Sequence, residues 1–201
     1  MPLQNRVDPF GAFHAVPARG SLMGNRGILH DGDQVPRRTH AHRNWVTCRL
    51  QFKHRKRALM APHRYTELFF LDEATAFAAG HRPCAECRRE RYKSFTAAWR
   101  DVHGAPPEGA PQGQSIDRVL HPARIAKGGG KVSYLADSTS LPDGTIFAHA
   151  CSAVLTWQGR HFAWGFDGYR PITAIGGPVQ VLTPKPIVDL FASGWRPDVA
   201  V

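Results

Sequence analysis

The sequence predicts an α+β protein with a basic N-terminal module, made of a β-hairpin and helices, and a β-rich C-terminal part. Its 201 residues are 42% hydrophobic and 21% charged, which is typical of a globular chain with a sizeable core. A Gly- and Pro-rich stretch at residues 104–114 separates helical patterns before it from strand-like patterns after it. We therefore expect two regions, residues 1–104 with an irregular N-terminal arm and residues 115–201, either separate or sharing one core.

Alternation and capping residues define the predicted elements. In the N-terminal region, strands are predicted at residues 45–53, 58–60 and 65–71, and helices at residues 73–79 and 84–103. Asp72 and Gly80 are suited to cap the shorter helix. In the C-terminal region, strands are predicted at residues 132–135, 145–157, 161–166 and 179–182, and a helix at residues 184–193. Gln158-Gly159 predicts a hairpin turn, and the first strand should turn Val46, Cys48, Leu50 and Phe52 toward the core.

Positive charge is concentrated in one third of the chain. Lys and Arg number 26 against 16 Asp and Glu, and residues 34–100 carry the whole excess of +10. Residues 34–66 contain nine Lys and Arg and no acid. Such an arginine-rich excess indicates a polyanion, because guanidinium groups contact phosphate in bidentate fashion. We expect nucleic acid, DNA more than RNA, with a solvated surface or phospholipid headgroups as alternatives. The expected contacts are Lys53, Arg55, Lys56, Arg57, Arg82, Arg88 and Arg89.

The sharpest local signal is Cys84-Ala85-Glu86-Cys87, placed at the start of a predicted helix. Two thiolates at this spacing converge on one zinc ion, and a helix N-terminus favours the thiolate form. Cys48 and Cys151 would complete a set of four ligands, although core positions are the alternative for both. A redox Cys-x-x-Cys is the alternative for the pair. The histidines that compete for the remaining ligand positions are His40, His42, His54, His63, His81 and His149.

The run Phe69-Phe70, followed by Ala74-Thr75-Ala76-Phe77-Ala78-Ala79-Gly80-His81-Arg82-Pro83-Cys84-Ala85-Glu86-Cys87, resembles the second half of the zinc-binding domain of Ada. Proteins of that family repair DNA and sense methylated phosphotriesters. The resemblance covers about residues 69–87 and extends loosely over residues 45–100. It implies a four-cysteine zinc module that grips the DNA backbone, with Cys84 and Cys87 as the second ligand pair. The family's first pair, one of which accepts the methyl group, is Cys-x-x-x-Cys on the preceding hairpin. Here that hairpin contains Cys48 alone.

Two other classes of function stay open, and no catalytic residue is assigned. A metal-dependent nuclease or hydrolase would use some of the 11 histidines, with Asp117 and His121 in a loop as candidate metal ligands. A ligand- or protein-binding module would use the C-terminal aromatic residues, which otherwise belong to the core: Trp157, Trp164, Phe166 and Tyr169. The oligomeric state stays undetermined.

The cellular compartment is predicted from two missing sequence patterns and from the use of cysteine. No run of apolar residues approaches the 18 to 20 that a membrane span requires. The first ten residues lack the pattern of a secretory signal. Paired cysteines in such a chain indicate metal chemistry in a reducing compartment. We therefore expect a cytoplasmic protein with no membrane partner.

Overall fold

The computed structural model describes residues 1–53 and 58–201, and the α+β class is confirmed. Within these residues the N-terminal region forms one six-stranded sheet. Its strands are β1 (Arg6–Val7), β2 (Phe13–His14), β3 (Leu22–Asn25), β4 (Val46–Arg49), β5 (Leu68–Phe70) and β6 (Arg82–Pro83). They lie in the order β2-β1-β5-β3-β4-β6. The β1–β5 and β4–β6 pairs are parallel and the other pairs are antiparallel.

The C-terminal region forms a second six-stranded sheet, which is antiparallel throughout. Its strands are β7 (Tyr134–Asp137), β8 (Ile146–His149), β9 (Ser152–Trp157), β10 (Arg160–Gly165), β11 (Gly168–Ile172) and β12 (Pro178–Val181). They lie in the order β11-β10-β9-β8-β12-β7. The predicted hairpin turn is confirmed, because Gln158 and Gly159 both adopt positive φ between the paired residues Trp157 and Arg160.

The described residues contain four α-helices, α1 (Glu73–Ala78), α2 (Arg89–His103), α3 (Gln112–Arg124) and α4 (Lys185–Ala192), and a 3₁₀ turn at Ser138–Ser140. Asp72 caps α1 as predicted, since its Oδ1 accepts a hydrogen bond of 2.8 Å from the Thr75 N–H. No helix in this part of the chain is long and apolar enough to cross a membrane.

Both predicted regions contribute side chains to the same hydrophobic clusters. One cluster joins all four helices: Phe77, Phe95, Trp99, Ile116, Leu120, Ile187, Leu190 and Phe191. A second cluster places Ala74 and Ala78 of α1 against the second sheet, where Ile146, Leu155 and Phe162 are buried. Helix α1 is therefore held from both sides, and it leads directly into β6 and the Cys-x-x-Cys motif.

The structure corrects the predicted hairpin at residues 45–53 and 58–60. Strand β4 ends at Arg49 and pairs with β3 and β6, whereas residues 59 and 60 lie in a turn. The predicted outward orientation of Thr47 in β4 is wrong, whereas Arg49 is exposed as predicted. Thr47 is the buried residue, because its hydroxyl donates to the Arg82 carbonyl and accepts from Arg88, while Cys48 is only half buried.

The N-terminal arm and three other elements differ from the predictions. The arm is not irregular throughout, because β1, β2 and β3 belong to the first sheet. Asp117 and His121 lie on α3 rather than in a loop, because Ile116 and Leu120 occupy one helical face and are fully buried. Helix α2 begins at Arg89 because residues 85–88 form a separate turn before it. Strand β11 was not predicted, and it pairs with β10 at the edge of the second sheet.

Candidate metal centre

Three cysteines converge where β4 and β6 run side by side. These strands are parallel, with Val46 opposite Arg82 and Thr47 opposite Pro83. The Cys84 N–H continues the ladder by donating to the Thr47 carbonyl at 2.9 Å. Parallel pairing therefore places Cys48, the next residue of β4, beside Cys84. Their sulfur atoms and that of Cys87 all lie within 4.8 Å of one another.

The turn between β6 and α2 brings Cys87 back over Cys84. The Arg88 N–H donates to the Cys84 carbonyl at 3.2 Å, which closes one helical turn around the motif. The backbone N–H groups of Glu86 and Cys87 hydrogen-bond to the Cys84 sulfur, and that of Arg49 hydrogen-bonds to the Cys87 sulfur. Backbone donors aimed at sulfur stabilise thiolates, which are the form that binds metals.

Hydrogen bonding within the cluster shifts the pKa values of Cys84 and Cys48 in opposite directions. Side-chain hydrogen bonds from Cys48 and Cys87, with those of the backbone, hold the pKa of Cys84 far below its ordinary value. The pKa of Cys48 lies far above its ordinary value, because its thiol is hydrogen-bonded to Cys84 and Cys87 and is also buried. A metal ion would replace these shared protons and bind all three sulfurs as thiolates.

The three thiols can hold a metal ion without rearrangement of the strands. A tetrahedral zinc–thiolate site has Zn–S bonds of about 2.3 Å, which places its sulfurs about 3.8 Å apart. The observed upper limit of 4.8 Å requires only small side-chain rotations to reach this spacing. Among the described residues, this is the only group of three or more His, Cys, Asp or Glu side chains in such an arrangement.

The cysteines line an open cavity of about 530 Å³. Most of its wall is apolar and includes Met23, Val46, Leu50, Phe52, Leu59 and Phe69. Arg49 and Glu86 also line it and are exposed. Structural zinc sites are closed by four protein ligands, whereas catalytic sites keep one position open. Among the described residues, three sulfurs line this accessible cavity, which matches the open arrangement.

The structure does not bring the fourth predicted cysteine to this cluster. Cys151 is exposed in the turn between β8 and β9 of the other sheet, with a φ of 63°. His149 is exposed in the same hairpin. His81 is fully buried, and its Nε2 accepts a hydrogen bond of 3.1 Å from Arg26 rather than facing the sulfurs. His40, His42 and His63 do not belong to the sulfur group, and His54 lies outside the described residues.

Two of the predicted phosphate contacts prove to be buried structural arginines. Arg82 binds Asp117 of α3 in bidentate fashion, with Nη2–Oδ2 at 2.6 Å and Nε–Oδ1 at 3.1 Å. Arg88 pairs with Glu73 of α1 at 2.7 Å. Both side chains are largely buried on these carboxylates, unlike the exposed cations that the charge pattern predicts.

The remaining predicted contacts are exposed or lie outside the described residues. Lys53 is exposed and pairs with Glu86 at 3.3 Å, and Arg89 is exposed at the first turn of α2. Arg55, Lys56 and Arg57 lie outside the described residues. Other exposed basic residues of the acid-free segment belong to the same charge pattern and are further candidate contacts: Arg37, Arg38, Arg43, Arg49 and Arg64.

The residues of the two alternative functions have structural partners. Asp117 is buried and forms an ion pair with Arg82, and the ring centroids of His121 and His40 are 5.3 Å apart. Trp157, Trp164 and Tyr169 pack against the cluster beneath the second sheet. Phe166 contacts Trp164 and His14 at ring-centroid distances of 4.8 and 5.1 Å.

Comparisons with known proteins found no matching family model, no similar curated protein and no similar solved structure.

Proposed function

We propose that this chain holds a zinc ion on Cys48, Cys84 and Cys87 and uses the surrounding basic surface to bind the phosphate backbone of nucleic acid, DNA in preference to RNA. The convergence of three thiols within 4.8 Å carries the proposal. Zinc fits these three thiols because Zn²⁺ favours tetrahedral coordination by sulfur and has no redox chemistry of its own. The cytoplasmic location stays a prediction from cysteine usage.

Support for a nucleic-acid partner comes from the exposed cations near the sulfurs. Arg49 follows Cys48 directly and lines the same cavity. All the Lys and Arg side chains described between residues 34 and 66 are exposed, and this segment contains no acid. A zinc ion bound by three thiolates carries a net negative charge, which would repel a phosphate. The exposed Lys and Arg side chains offset that charge.

Binding to labelled duplex and single-stranded DNA across a salt series tests the proposal. We compare a triple variant at Arg38, Arg43 and Arg49, each changed to Glu, with a matched triple at Arg118, Arg160 and Arg170. All six arginines are exposed, so both variants change the net charge equally. The first triple should weaken binding and flatten the salt slope by about 2.7, since each lost phosphate contact removes about 0.9. Equal effects of the two triples would contradict a local binding surface.

Metal content tests the other half of the proposal. The purified full-length chain should carry one zinc per molecule, measured by elemental analysis. Cys84→Ser should lose it, whereas Cys151→Ser should keep it. Full zinc occupancy in Cys84→Ser, or zinc loss in Cys151→Ser, would contradict the three-sulfur centre.

The open cavity favours a second candidate, in which a cysteine accepts an alkyl group from a DNA phosphotriester. The resemblance to the Ada zinc-binding domain implies this chemistry, and zinc keeps a ligating thiolate nucleophilic at neutral pH. A Cys48 thiolate would attack the methyl carbon, a C–S bond would form, the C–O bond would break, and a phosphodiester anion would leave. Incubation with methylphosphotriester DNA followed by peptide mass spectrometry should add one methyl group to Cys48. An unmodified chain after prolonged incubation would remove this candidate.

A further inference from the structure

Three cationic side chains end in one small cavity, separate from the metal centre. Arg26 follows β3, Arg124 is the last residue of α3, and Lys131 follows the glycine loop after α3. The cavity measures about 40 Å³, and no carboxylate lines it. We call it the cationic pocket. Phe10 and Gly129 also line it and are exposed, so the pocket opens to solvent.

Backbone carbonyl groups position these cations without neutralising them. The carbonyls of Ala78, Ala79 and Gly80 at the end of α1 accept from Lys131 at 2.6 Å, Arg26 at 3.2 Å and Arg124 at 2.7 Å, respectively. A helix C-terminus supplies only about half a negative charge, whereas two guanidinium groups and one amine meet here. The carbonyls therefore hold the side chains in place and leave a large positive excess.

The nearest acidic side chains, Asp8 and Asp117, attract these cations through space but form their hydrogen bonds with other groups. Asp8 accepts from the Ala12 N–H at 2.9 Å and pairs with His14 at 2.7 Å, and Asp117 pairs with Arg82. Neither carboxylate lines the cationic pocket. The indole of Trp45 forms a wall, with the Arg26 and Arg124 guanidinium carbons 4.1 and 4.2 Å from its ring. Cation–π contact stabilises these groups but adds no countercharge.

Hydrogen-bond donors remain available in the pocket. Arg124 Nε is buried and has no partner among the described residues. The Lys131 ammonium has three N–H donors and one hydrogen bond, to Ala78. An unsatisfied buried donor on a charged group is costly, so these donors favour an oxygen-rich anion. Burial and the charge of Arg26 lower the pKa of Lys131 to about 7, and the opposing attraction of Asp8 is the smallest of the three effects.

We propose that the cationic pocket binds one phosphate group, as inorganic phosphate or as a phosphate of a nucleic acid. Each Nη atom of Arg26 and Arg124 donates one N–H to a backbone carbonyl and carries a second N–H. These second N–H groups and the Lys131 ammonium match the oxygens of a tetrahedral oxyanion. A single water needs roughly 10 to 15 Å³ of such space, so 40 Å³ admits a small oxyanion but no nucleobase. This inference does not depend on the metal centre, because no cysteine lines the cationic pocket.

Calorimetric titration of the full-length chain with inorganic phosphate and with sulfate, against chloride at equal ionic strength, tests the proposal. We expect saturable one-site binding of both tetrahedral anions. Lys131→Gln should weaken binding at least about tenfold, as expected for loss of a charge-assisted hydrogen bond. The matched control is Lys127→Gln in the same loop, since Lys127 is exposed and outside the pocket. Its affinity should stay within about twofold of wild type.

Phosphate binding no tighter than chloride binding, or equal affinity of Lys131→Gln and wild type, would overturn the proposal. If Lys131→Gln does not fold, Arg124→Lys is the second variant. It keeps the charge but loses the fork, so weaker phosphate binding is expected and unchanged affinity would overturn the proposal. Cys84→Ser should bind phosphate like wild type, which separates this test from that of the zinc centre.

Competition identifies the source of the phosphate. A short oligonucleotide with a 5′-phosphate and the same oligonucleotide with a 5′-hydroxyl are titrated against bound inorganic phosphate. Displacement by both assigns the pocket to the nucleic-acid backbone, and displacement by the first alone assigns it to a terminal phosphate. Displacement by neither assigns it to free phosphate, provided that the direct titration gave binding.

Discussion

Replacing Glu73 with Gln should destabilise the folded protein by about 3 kcal/mol, the lower end of the cost of breaking a buried ion pair. The Glu73 side chain is 1% exposed and accepts from two arginines, Arg88 at 2.7 Å and Arg91 at 2.5 Å. It also accepts from the Asp198 N–H at 2.9 Å, which ties down the C-terminal segment. Gln keeps the shape but leaves the buried Arg88 guanidinium without a full countercharge.

Urea denaturation of the purified chain, followed by circular dichroism, measures this loss. For a protein of this length, 3 kcal/mol corresponds to a fall in Tm of roughly 6 to 12 °C. The matched control is Glu90→Gln, because Glu90 pairs with Lys93 at 3.0 Å while its own side chain is 82% exposed. Exposed pairs contribute about 0.5 kcal/mol or less, so this variant should resemble wild type.

The same variant should weaken zinc binding, because Arg88 directly follows Cys87 and its backbone N–H closes the turn around Cys84. Competition with a chromophoric chelator measures this effect. If Glu73→Gln is as stable as Glu90→Gln and binds zinc like wild type, then the buried pair does not hold the metal loop. The structural role assigned to Arg88 would then be refuted.

Three further predictions follow from the described contacts. Cys48→Ser should abolish stoichiometric zinc binding in a chelator assay, whereas exposed Cys151→Ser should not; equal retention by both would contradict the cluster. The pKa of Lys131 is lowered to about 7, mainly by burial, so between pH 7 and 10.5 the unfolded state binds a proton that the folded state lacks. Stability of the anion-free protein should therefore rise with pH there, and Lys131→Met should flatten the rise in urea titrations. Gly80→Ala should lower the free energy of unfolding, measured by thermal denaturation, by about 2 kcal/mol or more. The φ of Gly80 is 85°, and the new Cβ would lie 2.9 Å from Arg124 Cβ. Gly109→Ala, with positive φ and open space, should cost only about 1 kcal/mol.

Local signals were sufficient to predict α1 and the turn that follows it. Asp72 accepts from Thr75 within one helical turn, and Gly80 adopts the positive φ that a helix end favours. Cys84 and Cys87 lie three residues apart, so their convergence needs no distant information. These features depend on interactions within a few residues, which the sequence pattern records directly.

Residues whose roles depend on distant partners could not be predicted in this way. Arg82 and Arg88 look like surface cations because their acidic partners lie 35 and 15 residues away, on other elements. Alternation predicted the exposure of Arg49 in β4 but not the burial of polar Thr47, which forms hydrogen bonds with those same two arginine residues. The apolar neighbours of Cys48 face an open cavity instead of a core, which no periodicity distinguishes.

The pairing of β4 with β6 places the two candidate sites at opposite ends of one short ladder. The Arg82 N–H donates to the Trp45 carbonyl at 3.1 Å, and the Cys84 N–H donates to the Thr47 carbonyl at 2.9 Å. Trp45 forms a wall of the cationic pocket, while Cys84 belongs to the sulfur cluster. A slip of one residue in this register would move Cys48 away from Cys84, and would move Trp45 away from Ala79, which precedes β6 and also lines the cationic pocket. The buried Arg82–Asp117 pair, which fixes β6 against α3, therefore stabilises both sites at once.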